Sequence, residues 1–208
     1  MKEAEVRRYD RDEVISFRST GEAFGGLSNM APGFPVWVGG ARVRTSEALY
    51  QACRFPHRPD IQRIILAERS PMTAKMRTKP FRHETRGDWE GARVPIMRWC
   101  LRVKLACNSQ TFGTLLANTG SQVIVEDSRR DAFWGAVKQA DGTLVGCNVL
   151  GRLLMELRQR WLADPEGARS VKPPRLHDFL LLGRRIEIVE APADVAASGA
   201  PVEGAVLL

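Results

Sequence analysis

Pro95-Ile96-Met97-Arg98-Trp99-Cys100-Leu101-Arg102-Val103-Lys104-Leu105-Ala106-Cys107-Asn108 carries the clearest period in the chain. Met97, Leu101, Lys104 and Asn108 recur at helical spacing, flanked by Cys100, Leu105 and Cys107, so the segment reads as a helix with one buried face. Lys104 lies on that apolar stripe and not opposite it. A lysine there must snorkel, pair with a carboxylate or carry a shifted pKa. A desolvated lysine is also the type of amine that forms a Schiff base with a carbonyl.

Outward from this helix, the signals alternate between short strands and helices. Glu13 to Phe17 reads as a strand, and Gly21 to Gly40 is rich in turn residues. Phe34–Val38 and Ala41–Arg44 suggest a hairpin. Thr45-Ser46-Glu47 caps a helix running towards Arg54. Further helices are expected from Asp60 to Arg69, from Pro71 to about Met76, and from Phe112 to Asn118. Val123-Ile124-Val125-Glu126 reads as a buried strand followed by a loop, Asp131-Ala132-Phe133-Trp134-Gly135. Asn148 to Leu162 is amphipathic, with Leu150, Leu153, Leu154, Leu157 and Trp161 facing inward. After Asp164 the character changes. Arg184 to Val189 forms one edge strand at most, and Ala191 to Leu208 has no period and reads as mobile. One domain, 13–164, and a C-terminal extension, 165–208, are therefore expected.

The 208 residues are 44% hydrophobic and 26% charged, ordinary for a globular protein. No stretch reaches the roughly 18 apolar residues of a membrane helix. The N-terminus shows no secretory signal, and a cytoplasmic address without membrane contact follows as the default expectation. The four cysteines form no Cys-x-x-Cys pair, and the three histidines lack metal-ligand spacing. Neither a metal nor a cofactor is expected. Net charge is +7, yet Arg54 to Lys104 alone holds thirteen Lys/Arg against five Asp/Glu. Such a window favours a polyanionic partner, the plainer alternative being solvated helix faces.

Chemistry must come from scattered polar residues, because no Gly-x-Gly-x-x-Gly or Walker A loop is present. Glu47 stands in the first turn of a helix, as a favourable charge there or as a carboxylate aimed into a cleft. Trp89 lies in a polar segment, and Trp134 lies in a loop after a buried strand. Each serves as an apolar plug or as a stacking platform for a base. Glu126 and Asp131 flank that loop. Carboxylates, aromatic platforms and basic side chains together suit cleavage of a glycosidic bond in a nucleotide-like ligand.

These residues also match a family. Phe17-Arg18-Ser19-Thr20, Leu27-Ser28-Asn29, Thr45-Ser46-Glu47, Tyr50-Gln51-Ala52-x-Arg54-Phe55, Ser70-Pro71-Met72, Asp88-Trp89, Met97, Lys104, Thr119-Gly120, Val125-Glu126, Asp131-x-x-Trp134-Gly135 and Asn148-x-Leu150-Gly151-x-Leu153-Leu154-Met155 resemble, in order and spacing, the NADAR (YbiA-like) family. The resemblance covers about Ser16 to Trp161. It implies an α+β, mostly helical domain with a small β-sheet, and N-glycosidase chemistry on ribosylated bases. It carries a ligand-cleft role over to Glu47, Trp89, Asp131 and Trp134. The candidate catalytic residues are Glu47, Lys75, Lys104 and Asp131, and the candidate ligand contacts are Phe17, Ser19, Asn29, Arg54, Trp89, Glu126, Trp134, Gly135 and Asn148. Where many members read Gln-Ala-x-Lys-Phe, this chain has Arg54, which keeps the charge but never deprotonates to attack a carbonyl. If the reaction needs an amine, Lys104 or Lys75 must supply it, and Arg54 becomes a phosphate clamp.

Two branches of that family frame the expected function. One removes ADP-ribose from guanine in nucleic acid, as antitoxin to a DNA ADP-ribosyltransferase toxin, and the basic window favours it here. The other cleaves phosphoribosylamino-pyrimidine intermediates of riboflavin biosynthesis. A third reading is a non-catalytic module that binds ADP-ribose.

Overall fold

The computed structural model describes residues 5–192. Its strands in chain order are β1 (Arg7–Tyr9), β2 (Val14–Phe17), β3 (Val36–Val38), β4 (Ala41–Val43), β5 (Val123–Ser128), β6 (Ala136–Lys138), β7 (Leu144–Gly146), β8 (Ser170–Val171), β9 (Leu180–Leu181), β10 (Arg184–Arg185) and β11 (Val189–Glu190). The helices are α1 (Ser46–Ala52), α2 (Pro59–Ala67), α3 (Pro71–Arg77), α4 (Trp89–Cys107), α5 (Thr114–Ala117) and α6 (Val149–Ala163). The result is a helix-rich α+β fold around one mixed sheet, ordered β1-β7-β6-β5-β2. β5 runs parallel to both β2 and β6, while β6, β7 and β1 pair antiparallel.

β5 is buried on both faces, which explains its run of β-branched residues. Ile124 joins the main core with Phe17, Leu49, Phe55, Ile96, Leu101, Phe112 and Leu154. Val125 joins a smaller cluster with Tyr9, Ala136 and Leu144. α6 packs on β5 and on α4. Gly151 permits this approach, because a Cβ there would stand 2.2 Å from the Ile124 carbonyl oxygen.

α4 begins six residues before the expected helix, at Trp89, and runs through Pro95. The proline deletes one backbone bond, yet burial of Ala92, Val94, Ile96 and Met97 on either side holds the helix together. The residues expected as a helix from Phe112 split into a π-turn, Ser109–Gly113, and the short α5. β1, β6 and β7 gave no signal, each being three residues long.

The expected strand over Arg184–Val189 divides into β10 and β11, which pair with β9 and β8 in separate two-stranded ladders. Buried Ile186 between them contributes to the main core, as do Val171, Phe179, Leu181 and Val189. Gln62 stitches this segment to α2: its Nε2 donates to the Leu180 carbonyl and its Oε1 accepts from the Leu182 N–H. Residues 165–192 thus share the core of the preceding domain. The expected mobile tail falls outside the described residues from 193 onward. Among the described residues, no helix is long and apolar enough to cross a membrane.

Because the obstacle at Gly151 is backbone, Gly151→Ala should cost about 1–3 kcal/mol through forced separation of α6 and β5. Thermal unfolding should show a midpoint lower by several degrees.

Candidate functional site

Helix α1 starts at Thr45, whose hydroxyl accepts the Ala48 N–H and so fixes the first turn. That turn buries Glu47 and points it at the end of the glycine-rich loop. Glu47 Oε2 accepts from Asn29 Nδ2 at 2.7 Å, and Oε1 accepts from Gln51 Nε2 at 2.8 Å. Both carboxylate oxygens are therefore oriented by amides before any ligand arrives.

This carboxylate opens onto a cavity of about 400 Å³. Helix α4 contributes Trp89, Arg93 and Met97 to it, spaced i, i+4, i+8 along one face. α1 contributes Tyr50 and Gln51, and α3 contributes Lys75. β5 and the loop after it add Glu126, Ser128, Asp131 and Trp134. Tyr50 is the hub of the aromatic wall, with its ring 5.2 Å from Trp89 and 5.8 Å from Trp134. Arg54 stacks over Trp89 at 4.8 Å, and its guanidinium donates to Gln51 and Thr85. Burial lowers the Arg54 pKa from its ordinary value.

The loop carrying Trp134 is folded by its own aspartate. Asp131 Oδ1 accepts the N–H groups of Phe133 and Trp134 at 3.0 and 2.8 Å. The carbonyls of Phe133, Trp134 and Gly135 then accept from Val149, Leu150 and Asn148, which docks the loop on the first turn of α6. Asn148 is fully buried with φ 49°, a left-handed conformation that asparagine tolerates. Its side chain donates to the Ile124 carbonyl and accepts the Glu126 N–H.

Glu126 is the most perturbed carboxylate. Its pKa is pushed up to about 7, first by burial, then by the Asp131 and Glu47 charges, with Lys75 opposing. A carboxyl poised there can hold a proton at neutral pH and release it to a departing group.

Eight of the thirteen residues expected from the sequence line this cavity: Glu47, Lys75, Asp131, Asn29, Arg54, Trp89, Glu126 and Trp134. Five do not line it. Phe17 is core, paired in register with Glu126. Ser19 closes a local turn by accepting the Gly21 N–H. Gly135 allows close passage past the Glu126 carbonyl oxygen, 2.5 Å from where a Cβ would stand. Asn148 is the clamp just described.

Lys104 is the largest correction. It is completely buried, and its ammonium donates to the carbonyls of Gly26 and Ser28 at 2.6 and 3.0 Å. The rings of Phe34 and Phe112 stand 4.5 and 4.2 Å from Nζ. Burial drives its pKa well below the ordinary lysine value, but no substrate carbonyl can reach it there. Lys104 secures the loop that ends in Asn29, and of the two candidate lysines only Lys75 faces the cavity.

Met30, Tyr50, Gln51, Arg93, Met97, Ser128 and Leu150 complete the lining without having been selected from sequence as site residues. Extending the helical period back from Pro95 to Trp89 would have found Arg93.

A NADAR domain profile matches residues 16–162. The chain belongs to the NADAR domain family. N-glycosidase YbiA of Escherichia coli (strain K12) is 35% identical over 162 residues, covering 74% of this chain and 92% of that protein. Riboflavin biosynthesis protein PYRR of Zea mays is 32% identical over 186 residues, covering 80% of this chain but 28% of the maize protein. Riboflavin biosynthesis protein VVA0006 of Vibrio vulnificus is 33% identical, and 40% of its length is covered. The NMR structure of E. coli YbiA superposes with a TM-score of 0.62 at 33% identity, covering 76% of this chain and 89% of that one.

Removing the Lys104 ammonium leaves two loop carbonyls without a donor, and each such loss costs about 1–3 kcal/mol. Lys104→Met should therefore lower the thermal midpoint. Unchanged unfolding would show that those carbonyls do not depend on the lysine.

Proposed function

We propose that this chain is an N-glycosidic hydrolase that removes ADP-ribose from guanine bases of DNA, in the setting of an antitoxin paired with a DNA ADP-ribosyltransferase toxin. The observation that carries the hydrolase reading is Glu126, a carboxyl raised to about 7 beside two further carboxylates in an aromatic-walled cavity. Cleaving a bond between a sugar carbon and a base nitrogen needs a proton for the departing nitrogen, and Glu126 is placed to give it. Glu47 and Asp131 supply the acceptor oxygens for the proton that must be removed.

Trp89 and Trp134 offer stacking faces to a base, while Arg54 and Arg93 offer cations to a pyrophosphate. In the proposed reaction the ribose ring opens and its C1 becomes an imine of the guanine amine. Lys75 attacks that carbon, and the bond to guanine breaks as its nitrogen takes the proton from Glu126. Water then hydrolyses the lysine imine, returning Lys75 and free ADP-ribose.

Support for a polymeric substrate comes from α3. Met72 and Met76 are 57% and 46% exposed on the same solvent-facing side as Lys75, leaving an apolar shelf beside the cavity. A second reading, cleavage of a phosphoribosylamino-pyrimidine, is favoured by the two riboflavin biosynthesis relatives.

The decisive assay incubates the chain with an oligonucleotide carrying ADP-ribosylated guanine and follows free ADP-ribose. Release is expected from the wild type, and Glu126→Gln should reduce it by about 10²–10⁴-fold, the usual contribution of a general acid. Because the proton sits on Glu126 below its pKa, kcat/KM should fall as pH rises through about 7, and the glutamine variant should lose that limb. No release at micromolar enzyme, with turnover of the free pyrimidine intermediate, would transfer the site to the second reading. Cyanoborohydride added during turnover should trap an ADP-ribose adduct on the wild type and on Lys104→Met, but not on Lys75→Ala. An adduct that persists in Lys75→Ala would remove the lysine from the reaction.

A further inference from the structure

A second groove, of about 520 Å³, lies between the β3–β4 hairpin and the segment that follows the NADAR match. One wall is Trp37. It alternates with buried Val36 and Val38, so its ring projects outward and stays 42% exposed. Its cross-strand partner Arg42 places a guanidinium 5.9 Å from the ring centroid. The turn between the strands is Gly39-Gly40, both at positive φ, with open space where side chains would stand. The opposite wall carries Arg184 and Arg185, both exposed, and Ile188, 49% exposed.

Ile186 and Val189 anchor the segment in the core, leaving its arginines and Ile188 outside. Among the described residues Arg42, Arg184 and Arg185 make no ion pair. Two glutamates also line the groove: Glu190 accepts from the Ser170 hydroxyl, and Glu187 is exposed.

We propose that this groove binds single-stranded nucleic acid. An exposed tryptophan opposite an isoleucine holds the faces of a base, paired arginines hold the phosphates beside it, and a glutamate accepts from base-edge or sugar donors. Stacking tolerates any base, and Arg184 and Arg185, with Arg42 across the hairpin from Trp37, are the cations offered to the strand's phosphates. One wall, Trp37 with Gly39 and Gly40, lies within the matched residues 16–162 and the other, Arg184 to Glu190, lies beyond them, so the groove is completed by the segment after the matched domain. The proposal does not require turnover in the cavity.

The test is fluorescence anisotropy of a labelled, unmodified single-stranded oligonucleotide with the full chain, across a salt series. Binding is expected to weaken with salt. Arg184→Glu/Arg185→Glu should weaken it at least tenfold and flatten the logarithmic salt slope by about 1.4, for two phosphate contacts. Trp37→Ala should weaken it about fivefold or more, whatever the sequence. Both variants should keep wild-type unfolding curves, which excludes misfolding as the cause. Adenosine monophosphate, competing a thousandfold less well than the oligonucleotide, would confirm a strand as the occupant. No binding, binding unchanged in both variants, or equal competition by the mononucleotide overturns the proposal. Because the oligonucleotide is unmodified, failure here leaves the glycosidase assay unaffected, and the converse also holds.

Discussion

Lys104 brings a positive charge into the core without a carboxylate to meet it. An unpaired buried ammonium would ordinarily shed its proton or force the structure open. Here two carbonyl oxygens and two aromatic faces surround it. The carbonyls belong to Gly26 and Ser28, so the lysine fixes the path of the loop just before Asn29. Asn29 in turn holds Glu47. The lysine also sits on α4, the helix whose earlier turns carry Trp89, Arg93 and Met97 into the cavity. One contact therefore ties together two walls that are distant in sequence, and the separation of Glu47 from the α4 aromatics depends on it.

The remaining wall is held in the same manner by Asn148. Its side chain spans consecutive polar groups of β5, and its N–H reaches the loop that carries Trp134. The left-handed backbone at this residue costs some strain, which the three hydrogen bonds offset. This rigidity matters electrostatically. Glu126 is held in a buried position within range of the Asp131 and Glu47 charges, and burial first, then those charges, raise its pKa.

Much of this was legible in the sequence, for identifiable reasons. α1, α3 and α6 carry caps or a sustained apolar period, and β5 carries an unbroken β-branched run. Glu47, Glu126, Asp131 and the two tryptophans were readable as cleft residues, although a helix-start charge or an apolar plug was an equally physical reading of some of them. What failed was distance in the other direction. A polar residue within an apolar stripe, such as Lys104 or Asn148, looks the same in sequence whether it touches a ligand or braces the residue that does. Pro95 hid the first six residues of α4, because a proline normally marks a helix start and here lies inside one. The three-residue strands β6 and β7 are set by their partners, not by any pattern of their own.

The replacement at Arg54 bears most directly on chemistry. An arginine stacked on Trp89 and tied to Gln51 and Thr85 is a fixed cation, suited to hold charge and unable to form an imine. With Lys104 enclosed, the amine that faces the cavity is Lys75, on a short helix whose solvent side is two exposed methionines. Under the proposed reaction, the nucleophile therefore approaches from the open side of the cavity, while the acid, Glu126, approaches from the sheet. In that reaction Lys75 must give up a proton before it attacks, and Glu126 must keep its own until the base nitrogen departs, so the chemistry asks opposite protonation states of two groups whose charges already interact.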